Sequence, residues 1–200
     1  MSSKRPLLYL SLNSFIRLYS MDPSSLVAEV SRRMAQPGGY DYYRTLTEAI
    51  RAKIRGKTED EIQHILNSSS RPTEVIYNKA AYNKFVAKFG SKRTLEEFEK
   101  RGQVSLADGD VAIRVAPIFS ITSSGTLNAF HVWASQNPKL DKRKANAGNY
   151  LISQAFRRTA PNYKYSIFDA VEGKSYSGFG NNTGIAVDAV ARNIANYAKM

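Results

Sequence analysis

The apolar residues of this chain change period near its middle, and that change restricts the fold more than any single motif. Through residues 22–100 they recur at helical spacing, whereas from Val111 they fall on alternate positions, the mark of a half-buried strand. The first half is therefore expected to be mainly helical. Asp22-Pro23 places a capping side chain before a proline at the first helical position, and a helix over residues 23–35 carries Leu26, Val27, Val30 and Met34 until Pro37-Gly38-Gly39 stops it. A second helix after Asp41 buries Tyr43, Leu46, Ile50 and Ile54 and ends at Gly56. Thr58 to Glu61 is a capping box opening a short helix, residues 75–89 form a fourth helix closed by Gly90, and Thr94 to Glu97 reads as another capping box.

In the second half, residues 111–121 alternate as one long strand, with Pro117 marking an edge or a bulge. Ser123-Ser124-Gly125 turns the chain, and residues 127–134 return as the antiparallel partner; residues 104–106 add a short strand. Asn137-Pro138 is expected to start a long helix running to about Arg158. Residues 165–171 and 175–179 read as strands around the turn Glu172-Gly173-Lys174, and residues 185–199 form a final helix. The predicted class is α+β: a helical N-terminal half, a small mainly antiparallel sheet with the long helix packed on it, and a C-terminal helix. With no long linker, residues 22–200 make one domain, divided into 22–100, 103–179 and 183–200.

Residues 1–21 form an extension to that domain, either disordered or targeting. They hold Lys4, Arg5 and Arg17, several serines and no acid, a composition closer to a transit peptide than to a secretory signal. The expected compartment is intracellular, in the cytoplasm or with the nucleoid or nucleus, with the transit peptide as the alternative.

Charge and cysteine narrow the chemistry. The chain has 29 Lys plus Arg against 17 Asp plus Glu, a formal charge of +12, which bears on partners rather than fold. With no cysteine, a disulfide framework, a thiolate metal site and a cysteine nucleophile are all excluded. With two histidines, His64 and His131, imidazole-rich metal sites are hard to assemble. No cofactor is expected.

The long helix carries the main functional signal. At about 100° per residue, Lys139, Lys142, Arg143, Asn146, Tyr150, Ser153, Gln154 and Arg157 share one face. Twenty helical residues span about 30 Å, approaching one turn of duplex, so cations along the face can reach several phosphates. The simpler alternative is the polar outer face that surface helices in general have. Beside it, residues 157–165 alternate cations with rings: Arg157, Arg158, Tyr163, Lys164 and Tyr165. Such rings stack on unpaired bases or serve as strand packing.

Other groupings are weaker. Asp60 and Glu61 lie one turn from His64, which favours a surface salt linkage. His131 shares a strand face with Trp133 and reads as a half-buried, hydrogen-bonded residue. Asp108 and Asp110 flank Gly109, as turn residues or as carboxylates for Mg²⁺. Glu172-Gly173-Lys174 matches E-x-K as a string, but glycine marks it as a hairpin turn.

Taken as an order of elements, helix, strand, strand, strand, long helix, strand over residues 75–171 resembles the core of the PD-(D/E)XK nuclease-like family. That family binds metal through an Asp near a proline on its second strand and an E-x-K on its third. Here the comparable places read Pro117-Ile118 and His131-Val132-Trp133, so the resemblance implies a relative that does not cleave. The leading expectation is a non-enzymatic nucleic-acid-binding protein using residues 139–165. The alternatives are a divalent-metal-dependent nuclease using Asp108, Asp110, Glu172 and Lys174, or a structural module meeting an acidic protein partner or an anionic membrane surface.

Overall fold

The computed structural model describes residues 5–36, 38 and 40–200. The N-terminal half runs β1 (Leu8–Ser11), α1 (Leu12–Tyr19), α2 (Pro23–Ala35), α3 (Arg44–Ile54), α4 (Glu59–Leu66) and α5 (Pro72–Phe89). Then come β2 (Leu95–Glu97), β3 (Gly102–Leu106), β4 (Val111–Val115), β5 (Phe119–Ser123) and β6 (Thr126–Trp133), followed by α6 (Lys142–Phe156), β7 (Tyr163–Asp169), β8 (Lys174–Ser177) and α7 (Thr183–Tyr197). The fold is α+β with a helical N-terminal half.

The strands form two mixed sheets. One has the order β1-β4-β3, with β1 parallel and β3 antiparallel to β4. The other has the order β2-β5-β6-β7-β8, antiparallel except for β6 and β7. Parallel neighbours need a crossover, and α6 supplies it. The larger sheet is apolar on both faces: Ala129, Trp133 and Ile167 join a core with α1, α6 and α7, while Phe130, Val132 and Phe168 join one with α3, α4 and α5. The second core is rich in rings, with Phe119 stacked on Phe130 and set edge-on to Phe85 and Phe89.

Several helix ends form as the capping chemistry dictates. The Asp22 carboxylate accepts the Ser25 N–H with Pro23 in the first turn, and the Thr58–Glu61 box is reciprocal. The stop at residues 37–39 falls largely outside the described residues.

Four expectations need correction. Residues 8–19 are not an extension before the domain: β1 pairs with β4, and Leu10, Leu12, Phe15, Ile16 and Leu18 are buried in the core. Thr94 caps no helix; its hydroxyl donates to Thr122 O, and Leu95 to Glu97 pair with β5. Residues 111–121 are two strands in two sheets rather than one strand. Pro117 has no N–H for a ladder, so the chain crosses from one sheet to the other there, and pairing resumes when Ile118 N–H donates to Phe130 O. The long helix starts at Lys142, because Asp141 rather than Asn137 accepts the free Lys144 N–H; Ser135 and Asn137 sit in a loop where the Ser135 hydroxyl donates to Asn137 O.

No helix among the described residues is long and apolar enough to cross a membrane.

Candidate nucleic-acid interface

Helix α6 is the centre of the molecule rather than its rim. It lies against β7, β8, β3, α1 and α7, with Ala145, Ala147, Leu151, Ile152 and Phe156 buried. Gly148 permits that seat: a Cβ there would overlap the side chains of Ile16 and Ile167.

The continuous basic stripe expected on this helix is therefore not available. Lys139, Lys142, Arg143, Arg157 and Arg158 are exposed, but Asn146, Tyr150, Ser153 and Gln154 between them are half-buried. The Tyr150 ring meets Phe179 edge-on at 5.5 Å, and Gly184 of α7 lies so close that a Cβ would be 2.9 Å from the Tyr150 hydroxyl. The reason is charge: no cation stands between Arg143 and Arg157 on that face, and uncharged polar groups can be covered by neighbouring chain. The cations thus gather at the two ends of α6, about 22 Å apart along its axis.

On the side of the N-terminal end lies a cleft of about 290 Å³ lined by Arg17, Tyr42, Tyr43, Tyr77 and residues 134–137. It lies beyond the carboxyl end of β6, with β7 alongside through Ala170 N–H to Trp133 O, the position where ligand crevices form at parallel strands. Arg17 comes from α1, the tyrosines from α5 and the loop before α3, and Asn137 from the loop that continues to Lys139. The Arg143 guanidinium lies 5.3 Å from the Tyr19 ring centre. Burial pushes the Tyr43 hydroxyl above its ordinary pKa, opposed by a hydrogen bond with Ser135 and the charge of Arg17, so Tyr43 is a neutral hydroxyl at neutral pH. Near this cleft, Tyr40 is pinned from two sides: its hydroxyl donates to the buried Glu74 carboxylate at 2.6 Å and the Arg71 guanidinium sits 4.0 Å over its ring.

At the C-terminal end a smaller recess of about 230 Å³ is lined by Asn149, Ser153, Tyr163, Lys164, Tyr165, Ser177, Gly178 and Phe179. The two strand tyrosines are half-buried and held by packing. Tyr165 stacks on Phe156 and its hydroxyl donates to Ala160 O at 2.7 Å, while Tyr163 meets Phe98 edge-on. The cleft tyrosines and Phe179 carry no signal of a site in the sequence. The former lie far from α6 in the chain, and the latter follows a glycine-rich joint that reads as mere flexibility.

The remaining candidates resolve into structural roles. Asp108 is exposed in a turn where Ala107, Asp108 and Gly109 have φ of 51°, 55° and 88°, and the buried Asp110 carboxylate meets Lys199 Nζ at 2.7 Å. Glu172 and Lys174 belong to the β7–β8 turn of the other sheet, capped by Asp169, whose carboxylate accepts the Val171 and Glu172 N–H groups. Among the described residues no group of three or more His, Asp or Glu side chains is placed to hold a metal. His64 is exposed, and Glu61 beside it is taken up by Lys57 and then Thr58, which hold its carboxyl down at about 2. His131 is buried, with Nδ1 3.2 Å from Ala116 O and Nε2 2.8 Å from Asn13 Oδ1, and its neutral ring donates to one of these two oxygens. Burial holds its pKa down at about 4, so the ring is neutral near pH 7.

No protein-family model and no curated protein matches the chain. Among solved structures, that of SSO0001 is similar, with a TM-score of 0.37 and 10% identity over 88% of this chain and 86% of SSO0001.

Proposed function

We propose that the protein binds nucleic acid without cleaving it, holding phosphates with the cations at the ends of α6 and unpaired bases against the tyrosines beside them. One observation carries the reading: Arg17 lines a cleft walled by Tyr42, Tyr43 and Tyr77, and the cleft's Asn137 leads in two residues to the exposed Lys139, the combination of charge and ring faces that single strands require. The resemblance to the PD-(D/E)XK core is reduced by the structure: five strands, β2 to β6, separate α5 from α6, and β3 and β4, which hold residues 104–106 and 111–115 of the compared order, lie in the other sheet. At the places where that family carries its metal-binding motif, this chain has Pro117, Ile118 and a buried His131.

Fluorescence anisotropy with labelled duplex DNA, single-stranded DNA and structured RNA across a salt series tests the proposal. The triple variant Lys139→Glu, Lys142→Glu, Arg143→Glu is expected to lose affinity on the order of 100-fold and to flatten the log-log salt slope by about 0.9 for each duplex phosphate it no longer neutralises. Unchanged affinity and slope would remove this end of the helix from consideration. Cleavage of plasmid or RNA with Mg²⁺ or Mn²⁺ that disappears in Asp110→Ala would replace the proposal with the nuclease reading.

A protein partner is the second reading, favoured by the exposed Tyr40, Ile76 and Tyr77 beside Arg71, since aromatic residues and arginine are enriched at interfaces. An association that survives nuclease digestion would favour it.

A further inference from the structure

The recess at the C-terminal end of α6 has the build of a pocket for one heterocycle. Its 230 Å³ is below the roughly 300–1,000 Å³ that encloses a drug-sized ligand, so it takes a single ring and leaves the remainder of the ligand outside. Three of its walls are rings. Tyr163 and Tyr165 are fixed in place by Phe98 and Phe156, while Phe179 is 43% exposed and presents the freest face. The pocket exists because β7 and β8 part company: their pairing spans Ser166 to Asp169 on β7, and Gly178, at φ 74°, turns the chain away before Phe179 can pair with Lys164.

Polar residues form the rest of the lining. Asn149 is 1% exposed; its Nδ2 donates to Tyr176 O and Gly178 O, and its Oδ1 is buried beneath the lining without a hydrogen-bond partner. Ser153 and Ser177 complete the lining, the Ser177 hydroxyl hydrogen-bonded to that of Ser166 at 2.6 Å. Cations stand outside: Lys164 is exposed at the rim, and exposed Arg157 lies one helical turn beyond Ser153 on the same face.

We infer that this recess receives one unstacked nucleobase, face-on to Phe179 and alongside Asn149 and Ser153, with the attached phosphate against Lys164 and Arg157. The inference rests on the nucleic-acid reading for its source, a bound strand, although a free nucleotide has the same chemistry. Two variants and two ligand types test it. Phe179→Ala removes an exposed ring, and Ser153→Leu fills the recess; thermal melting of each reports folding.

Single-stranded dC12 is expected to bind Phe179→Ala about tenfold more weakly. Its salt slope should not change, and a fully abasic 12-mer should bind wild type and variant alike. In the wild type, adding dC12 or CMP should shift the NMR resonances of the Asn149 side-chain amide, and Ser153→Leu should abolish the shift. Strand binding that is equal in wild type, Phe179→Ala and Ser153→Leu would overturn the pocket and leave the phosphate-binding reading standing. Binding of CMP with no binding of any strand would overturn that reading and keep the recess as a free-nucleotide site. Binding of neither would overturn both.

Discussion

The two ends of α6 use similar residue types differently. At the N-terminal end the cations of α6 are exposed, and the nearby cleft is open, with Arg17 and tyrosines from elements distant in the chain. At the C-terminal end the recess is smaller, its tyrosines are already spent on packing, and the distinguishing groups are an amide and one exposed ring. Charge count alone would treat the ends as one surface. Their shapes separate attraction that depends on salt from recognition that depends on a ring face, because phosphate contacts release counterions and stacking does not.

That comparison depends first on the helix that joins the ends. Gly148→Leu would push α6 off Ile16 and Ile167, and overpacking of this kind costs about 3 kcal/mol. Thermal or urea unfolding should register the loss, and binding at both ends should weaken together; loss at one end alone would mean the ends are positioned independently. Next in size, Arg157→Glu with Arg158→Glu should lower affinity for single-stranded DNA about tenfold and reduce the salt slope by about 1.4. Added to the triple reversal at the other end, the slope changes should sum if one strand contacts both ends. A combined variant no worse than the triple would confine binding to the cleft.

Acid should act on one end. His131 stands on β6 just before the cleft and holds Asn13 of α1, the helix that also carries Arg17. Its folded pKa, about 4, lies below the ordinary value of 6.5, so the unfolded chain takes up the proton first. The neutral ring's contribution is fully present above about pH 6.5 and is lost as pH falls toward 4, on the order of 1 kcal/mol per pH unit. Denaturant unfolding between pH 7 and 4 should show this slope, and His131→Gln should remove it. An unchanged slope in the variant would assign the acid sensitivity to other groups.

Much of the helical half is legible in the sequence because its signals are local. Asp22-Pro23, the Thr58–Glu61 box and the apolar spacing of residues 46–50 each act within a turn or two of chain. What stays hidden depends on distant partners. The four residues of β1 show too short an alternation to read as a strand, and their partner, β4, lies about a hundred positions away. Pro117 reads as a disturbance, but only the presence of two sheets tells whether it marks an edge or a crossing. The polar face of α6 is legible too. Its covering by Phe179 and Gly184 is not, because periodicity reports which residues are polar and not what the chain lays over them.

The smallest effect sharpens the contrast most directly. Tyr77 is 41% exposed in the N-terminal cleft and stands outside the buried core, so Tyr77→Ala should leave the melting temperature nearly unchanged. If the cleft stacks unpaired bases, the variant should weaken single-stranded binding about fivefold, leave duplex binding unaltered, and keep the salt slope. An equal loss on duplex would mean that Tyr77 contacts the backbone through its hydroxyl instead. In that case Tyr77→Phe would reproduce the defect, and stacking would belong only to the recess at Phe179.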